Sequence, residues 1–229
     1  MSERDPAPSA DMEFGNLDAN LRFLDQSGLL QPGKRVLEIG SGRGTLLHLL
    51  QSRGLDVVGL EASPERVAEA RAFHDRIAIQ QTSGTALPFP ASSFDLVLSF
   101  DVFEHICDSD AHLGEVKRVL RPGGWYLLQT PNKWTNTIFE TIRWRSFSRW
   151  RGDHCALHTY GQLARRFGRH GFEVTFDDVP VVTPFFREKV RRHLGGVGTA
   201  ALTIVNPDRF PPRLRTNFYV RARRSLRPT

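Results

Sequence analysis

The chain has 229 residues, 40% of them hydrophobic and 24% charged, with 31 Lys and Arg against 25 Asp and Glu for a net charge of +6. This composition excludes a collagen, a coiled coil and a wholly disordered chain, and a single core can serve such a length. No run approaches the roughly 18 apolar residues of a membrane-spanning helix, and the polar, Pro-rich start lacks the basic-then-apolar order of a signal peptide, so a cytoplasmic protein is expected.

Residues 1–12 read as a loose tail. Phe14, Leu17, Leu21 and Leu24 follow helical spacing, and Gly28 and Pro32-Gly33 close that helix. A short apolar run over 35–39 then meets Gly40-Ser41-Gly42-Arg43-Gly44, and a helical pattern follows to about Gly54. A second strand over 56–60 ends at Glu61. Ser63-Pro64 can cap and open the next helix. Strands are expected over 77–80 and 94–100, a helix over 108–120, a turn at Arg121-Pro122-Gly123-Gly124 and a strand over 125–129. The aromatic and basic stretch 131–158 reads as irregular. Helix–strand order resumes with 159–170 and 172–179, then a helix over 184–200 and a last strand over 216–222. Strands alternating with helices at this spacing build βαβ units and a mostly parallel sheet.

A strand that ends in Gly40-x-Gly42-x-Gly44 and opens a helix is a nucleotide-cofactor signature, because glycine lets the backbone approach a ligand closely. A dinucleotide fingerprint needs a further glycine where Thr45 stands, and a phosphate loop needs a Lys that is missing here. The loop therefore suits a nucleoside with an uncharged or zwitterionic extension. Glu61 ends the second strand, where an acid can accept from both ribose hydroxyls.

Cys107 and Cys155 are too few and too far apart for a disulfide framework or a Cys-x-x-Cys knuckle, which fits a reduced compartment. Arginines crowd 143–151 and 209–227, patches that suit an anionic partner or a solvated face.

Together these segments resemble class I S-adenosylmethionine-dependent methyltransferases of the small-molecule group, like those of methyltransferase type 11. The resemblance rests on five motifs in order between residues 35 and 130: 36–44, 59–63, Leu87-Pro88-Phe89 with 93–97, 103–106 and 120–124. It implies an α/β, Rossmann-like, mostly parallel seven-stranded sheet with helices on both faces and an antiparallel last strand. It also implies one domain over 31–229, preceded by a tail and cap helix over 1–30, with 131–158 and 180–214 as acceptor-site insertions. Glu38, Gly40, Ser41, Gly42 and Gly44 would pass by the methionine part of S-adenosylmethionine, and Glu61 with Ala62 would hold the ribose. Ser83, Gly84 and Thr85 would border adenine. The family commonly has Asp where Ser83 stands, and serine is the weaker acceptor. Ser99 and Phe100 would lie beside the sulfonium.

Methyl transfer needs a base only when the acceptor is a hydroxyl or a protonated amine. Asp101-x-x-Glu104-His105 offers one in His105, and His158 ahead of the late helix offers another. The same acid-x-x-Glu-His pattern resembles ubiquinone-pathway and small-RNA 3′-end methyltransferases, in which a metal binds adjacent hydroxyls. Glu-His at this place is also common in the wider family without a metal, so no metal ligand is assigned. His154-Cys155 has no spacing that compels a metal reading. Trp134, Phe139, Trp144, Phe147 and Trp150, interleaved with arginines, suit a flat, acidic or lipid-linked acceptor and a peripheral membrane contact, or simply a core under a lid. The Asn/Asp-Pro-Pro motif of nucleic-acid amine methyltransferases is missing after strand four, which argues against nucleic acid. The expected activity is methyl transfer to O or N of a small molecule. A nicotinamide-dependent oxidoreductase and a non-catalytic cofactor-binding protein are the alternatives.

Overall fold

The computed structural model describes residues 16–74, 77–82, 84–144 and 154–226. Seven strands form one sheet: β1 (Arg35–Ile39), β2 (Asp56–Glu61), β3 (Ala78–Gln81), β4 (Phe94–Phe100), β5 (Leu120–Pro131), β6 (Phe172–Asp177) and β7 (Asn217–Arg224). Their order is β3-β2-β1-β4-β5-β7-β6. Only β7 runs antiparallel to its neighbours β5 and β6; the other pairings are parallel. The expected seven-stranded, Rossmann-like sheet with an antiparallel last strand is therefore present.

The helices are α1 (Leu17–Ser27), α2 (Thr45–Ser52), α3 (Pro64–Phe73), α4 (Ser109–Val119), α5 (Lys133–Trp144), α6 (Tyr160–Arg169) and α7 (Pro184–Ile204). They cover both faces of the sheet. Leu113 and Val116 of α4 and Leu163 and Phe167 of α6 pack with Val97, Tyr126 and Phe103 on one face. Phe23 of α1 and Leu46, Leu47 and Leu50 of α2 pack with Leu98, Leu127 and Tyr219 on the other. Strands covered on both faces need apolar side chains on both, which is why 35–39 and 94–100 read as near-continuous apolar runs.

Two elements differ from the sequence expectation. The turn at 121–124 lies inside β5 as an irregularity: Phe94 pairs with Leu120 and Leu96 with Trp125, so residues 121–124 of β5 stand opposite Asp95 alone, three more than a regular ladder holds. Gly123, at φ +77°, supplies the left-handed residue that this excursion needs. The stretch read as irregular after 131 opens with α5. Asn132 explains the change, since its Oδ1 accepts from the amide of Trp134 and its Nδ2 donates to the carbonyls of Arg213 and Arg215. The helix start is thus fixed by residues 81 positions or more away, a contact that local spacing cannot show.

At its N-terminus α1 is tied to the opposite end of the chain. Asn16 caps the helix through the amide of Ala19, donates to the carbonyl of Val181 at 2.8 Å and accepts from Thr183 Oγ1 at 2.8 Å. Tyr219 donates to Asn20 at 3.1 Å, and the ring of Phe23 packs 5.2 Å from that of Tyr219. These bonds hold α1 beside the carboxyl ends of the central strands.

Candidate active site

The strand order reverses direction between β1 and β4, and open α/β sheets leave a crevice at the carboxyl ends of such a pair. A cleft of about 1420 Å³ lies there, walled by the glycine loop, the end of β2, the segment after β3, the segment after β4, α1 and α7.

The glycine loop is held from below and open above. Gly40 has φ +75°, and a Cβ on it would collide with Val102. Gly42, at φ +54°, has nothing within 4 Å of the place a Cβ would take, so it keeps the cleft wall flat. Gly44 faces Ile77 rather than the cleft, and its role is packing. Ser41 is buried and lines the cleft.

Glu61 is buried at the end of β2. Its carboxylate accepts from the amides of Gly42 at 2.9 Å, Ala62 at 2.9 Å and Ser63 at 3.0 Å. One side chain thus fixes the glycine loop against β2, and it lines the cleft with Ala62. Glu38 lies deeper, at the end of β1. Burial, reinforced by the charge of Glu61, pushes its pKa up to about 8, and its Oε2 has no hydrogen-bond partner. A buried carboxyl without a partner is costly, and a cationic ligand atom in the cleft would satisfy it.

Gly84 and Thr85 line the cleft after β3; Ser83 lies outside the described residues. A buried relay supports this segment. His112 Nδ1 meets the carbonyl of Gly84 at 2.7 Å, His112 Nε2 meets Tyr126 Oη at 2.9 Å, and Tyr126 Oη meets Ser99 Oγ at 2.7 Å. The carbonyl can only accept, so Nδ1 carries the proton and Nε2 accepts from the tyrosine. Burial holds the His112 pKa down to about 4, which keeps the ring neutral. Ser99 therefore faces this relay in the core, while Phe100, next along the strand, faces the cleft. The expectation that both border the cleft is corrected for Ser99, because successive strand residues point to opposite faces.

After β4 the chain turns sharply. Asp101 adopts φ +54°, a left-handed conformation that Asp tolerates better than most residues, and its amide is held by Gln129 Oε1 at 2.9 Å. A single 3₁₀ turn over 103–105 follows. Glu104 is buried, accepts from Thr130 Oγ1 at 3.0 Å, and is pushed up to about 8, first by burial and then by Asp101.

His154 completes a cluster here that the sequence did not reveal. Glu104, His105 and His154 bring one ligand atom each to within 4.8 Å of one another, and the two imidazole rings lie 5.0 Å apart. Two imidazoles and a carboxylate form a donor set that suits a divalent cation. No metal ligand is assigned from the sequence, and on geometry these three residues fit one. Cys107 and Cys155 form a disulfide, and the amide of Ala156 bonds the carbonyl of Glu104 at 2.9 Å. Both links clamp the His154 segment onto the loop that carries Glu104 and His105. The expectation of reduced cysteines is corrected; the folding of β4 onto the end of the insertion joins residues 48 positions apart.

His105 lines the cleft and is exposed. His158 is placed elsewhere. It is buried against the Phe103 ring at 5.5 Å, its carbonyl accepts from Lys133, and it lines a separate cavity with α6. Burial, with Arg166 and Lys133 adding, lowers its pKa to about 4. The structure brings His105, and not His158, to the cleft. Of the aromatics in the insertion, Phe147 and Trp150 lie outside the described residues, and Trp134 is exposed on α5.

A family model described as a methyltransferase domain matches residues 13–175. A Mycolicibacterium smegmatis protein named "Probable S-adenosylmethionine-dependent methyltransferase" is 40% identical over 103 residues, which are 45% of this chain and 40% of that protein. A ubiquinone biosynthesis O-methyltransferase of Nitrobacter winogradskyi is 29% identical over 176 residues, 73% of this chain and 66% of that protein. The matches thus span less than two thirds of either relative's length. Among solved structures, an S-adenosylmethionine-dependent methyltransferase from Mesorhizobium loti superposes with a TM-score of 0.64 at 20% identity, covering 91% of this chain and all of that one. The fold, the order of the motifs and the family match agree: the chain belongs to the methyltransferase domain family, in its class I, and the cofactor of that class is S-adenosylmethionine.

Proposed function

We propose that the protein transfers the methyl group of S-adenosylmethionine to a hydroxyl oxygen of a small-molecule acceptor. The observation that carries this reading is the Glu104/His105/His154 cluster, which opens on the same cleft as the glycine loop and Glu61. Groups that can orient and deprotonate a hydroxyl therefore share a wall with groups that can hold the cofactor.

The cofactor fits the residues present. Glu61 keeps lone pairs for the ribose hydroxyls beyond its three amide bonds. Gly42 leaves room for the methionine part, and the unpartnered Glu38 oxygen suits the positive charge that the methionine part carries. Gly84 and Thr85, backed by the His112 relay, border adenine. Phe100 lines the wall where the sulfonium would lie.

In the reaction the acceptor oxygen attacks the methyl carbon in line, the oxygen–carbon bond forms, and the carbon–sulfur bond breaks to leave a neutral thioether. The hydroxyl proton passes to the imidazole of His105. Much of the acceleration comes from holding the two reactants together. Where Glu104, His105 and His154 hold a divalent cation instead, the ring lone pair of His105 would be taken by the cation, which would lower the pKa of the hydroxyl so that its proton passes to water.

The acceptor side of the cleft carries Phe185, Phe186, Lys189 and Arg192 of α7. Aromatic rings beside cations suit a flat acceptor with an acidic substituent. Relatives named ubiquinone biosynthesis O-methyltransferases agree with oxygen as the target. Trp134 and Ile138, both 61% exposed on α5, give a lipid-linked acceptor a place to rest its tail.

The test is calorimetric titration with S-adenosylmethionine, S-adenosylhomocysteine and NADH, followed by turnover on catechol-type and single-hydroxyl phenols with magnesium, manganese or a chelator. Binding of both adenosyl compounds but not NADH, with phenol methylation that His105→Ala and His154→Ala reduce at least about 100-fold, is expected for loss of a base or an orienting group. Failure to bind either adenosyl compound, or full activity in both variants, overturns the proposal. Loss of turnover to the chelator assigns the cluster to a cation; indifference to it assigns His105 the role of base without a metal.

A further inference from the structure

Beyond the cleft, a second open cavity of about 600 Å³ lies between α6 and the segment that follows the disulfide. Its charge is unusual. Gln162, Arg165, Arg166 and Arg169 stand at helical spacing and share one face of α6, while Leu163 and Phe167 bury the opposite face in the core. Three guanidinium groups therefore line one cavity. Arg166 pairs with Asp110 at 2.9 Å, and His170 uses the other oxygen of the same carboxylate. Among the described residues, Arg165 and Arg169 make no ion pair. Like charges four residues apart on a helix repel, so this face is destabilised unless a counter-charge covers it. His158, which is buried, lines the same cavity.

We propose that this cavity is a binding site for a phosphate dianion, held by Arg165 and Arg169 with Arg166 and His158 beside them. The charge balance favours a dianion: after Asp110 offsets one guanidinium, two remain. Guanidinium groups match the oxygens of phosphate in pairs, which a lysine cluster would not do. The site is distinct from the methyl-transfer cleft. Cys107 lines both cavities, so the disulfide forms the partition between them. Free orthophosphate and the phosphate of a phosphomonoester offer the same chemistry to these side chains.

The experiment is a titration of the 229-residue chain with inorganic phosphate and, separately, with glycerol phosphate, followed by calorimetry and by the ring resonances of His158. Wild-type protein is expected to bind with a millimolar or tighter Kd and to shift the His158 resonances. Arg165→Gln/Arg169→Gln is expected to weaken binding at least about tenfold. A second variant guards against misfolding. Gln162 accepts from the amide of Thr159 in a capping box. Gln162→Glu keeps that box, since glutamate serves it equally well, and places a negative charge beside the arginines. It too should weaken phosphate binding. S-adenosylhomocysteine affinity reports on the fold of each variant and is expected to stay within about twofold of wild type, a difference well below the free energy of one hydrogen bond. Phosphate binding alone identifies a free-anion site, and tighter binding of the monoester identifies an organic ligand; both support the proposal. Absence of any His158 shift with either probe, or equal phosphate binding by wild type and both variants, overturns it.

Discussion

Glu61 shows how one side chain can serve fold and function together. Its carboxylate takes three amides and ties the glycine loop to the end of β2. The same group faces the cleft, where the proposed cofactor would place its ribose. Loss of a charged acceptor for hydroxyls costs about 1–3 kcal/mol, so Glu61→Ala should weaken S-adenosylhomocysteine binding by that amount. Some of the loss could come from a loosened loop. A ribose-deoxygenated analogue separates the two effects. If Glu61 holds the hydroxyls, wild type should penalise the analogue and Glu61→Ala should not. Equal penalties in both proteins, read by calorimetry, would return Glu61 to a purely structural role. Two neighbouring pairs explain what a residue-by-residue reading could and could not reach. The place of Gly42 and Glu61 on the cleft wall was legible because a glycine turn after the first strand and the end of the second strand meet at the carboxyl edge of a parallel sheet. Ser99 and Phe100 were not separable, because strand alternation sends one to the cleft and one to the core, and which is which depends on the helix packed beneath.

At the scale of elements, the central parallel strands were legible because burial on both faces demands near-continuous apolar runs. The α5 helix and the clustering of His154 with Glu104 and His105 were not, because each depends on a contact between distant segments. Asn132 reaches residues 213 and 215, and the disulfide joins positions 48 apart. That disulfide is one of the anchors of the segment that supplies His154, beside the bond from the amide of Ala156 to the carbonyl of Glu104. Closing a loop of this size removes chain entropy equivalent to about 4 kcal/mol in the simplest model, an upper bound. Reduction, or Cys155→Ser, should therefore lower the melting temperature and release His154 from its partners. The glycine loop and Glu61 are anchored independently, so S-adenosylhomocysteine affinity should change little while acceptor turnover falls. The serine variant should also be blind to reductant. A wild-type melting temperature that is the same with and without dithiothreitol would show that the cross-link is not what holds this segment.

The whole molecule carries its function at one end of the sheet, where the strand order reverses and α1, α7 and the insertion converge. To build a cleft there, it buries ionisable groups, and this leaves a signature in its stability. Glu38 keeps its proton in the folded protein up to about pH 8, whereas in the unfolded chain it ionises near its ordinary value of 4.5. Between these values the unfolded chain binds fewer protons, so stability falls as pH rises, at up to about 1.4 kcal/mol per pH unit. Glu104, raised in the same direction, adds to the slope. His112 and His158 act oppositely, because both are held down to about 4 from 6.5 and stay neutral in the folded protein. Their contribution is complete above pH 6.5 and is lost as pH falls from there towards 4. From pH 4.5 to 6.5 the two effects offset each other; from 6.5 to 8 the carboxyls act alone. The ligand-free protein, melted in the presence of a chelator, should therefore lose stability steadily between pH 6.5 and 8. Glu38→Gln, which carries no titratable proton, should flatten that decline and be the more stable protein at pH 8. The same variant should bind S-adenosylmethionine more weakly, because the cationic methionine part loses its carboxylate. A wild-type profile that is flat or rising across this window would mean that Glu38 is already ionised, and the cleft would then hold two carboxylates waiting for a cation.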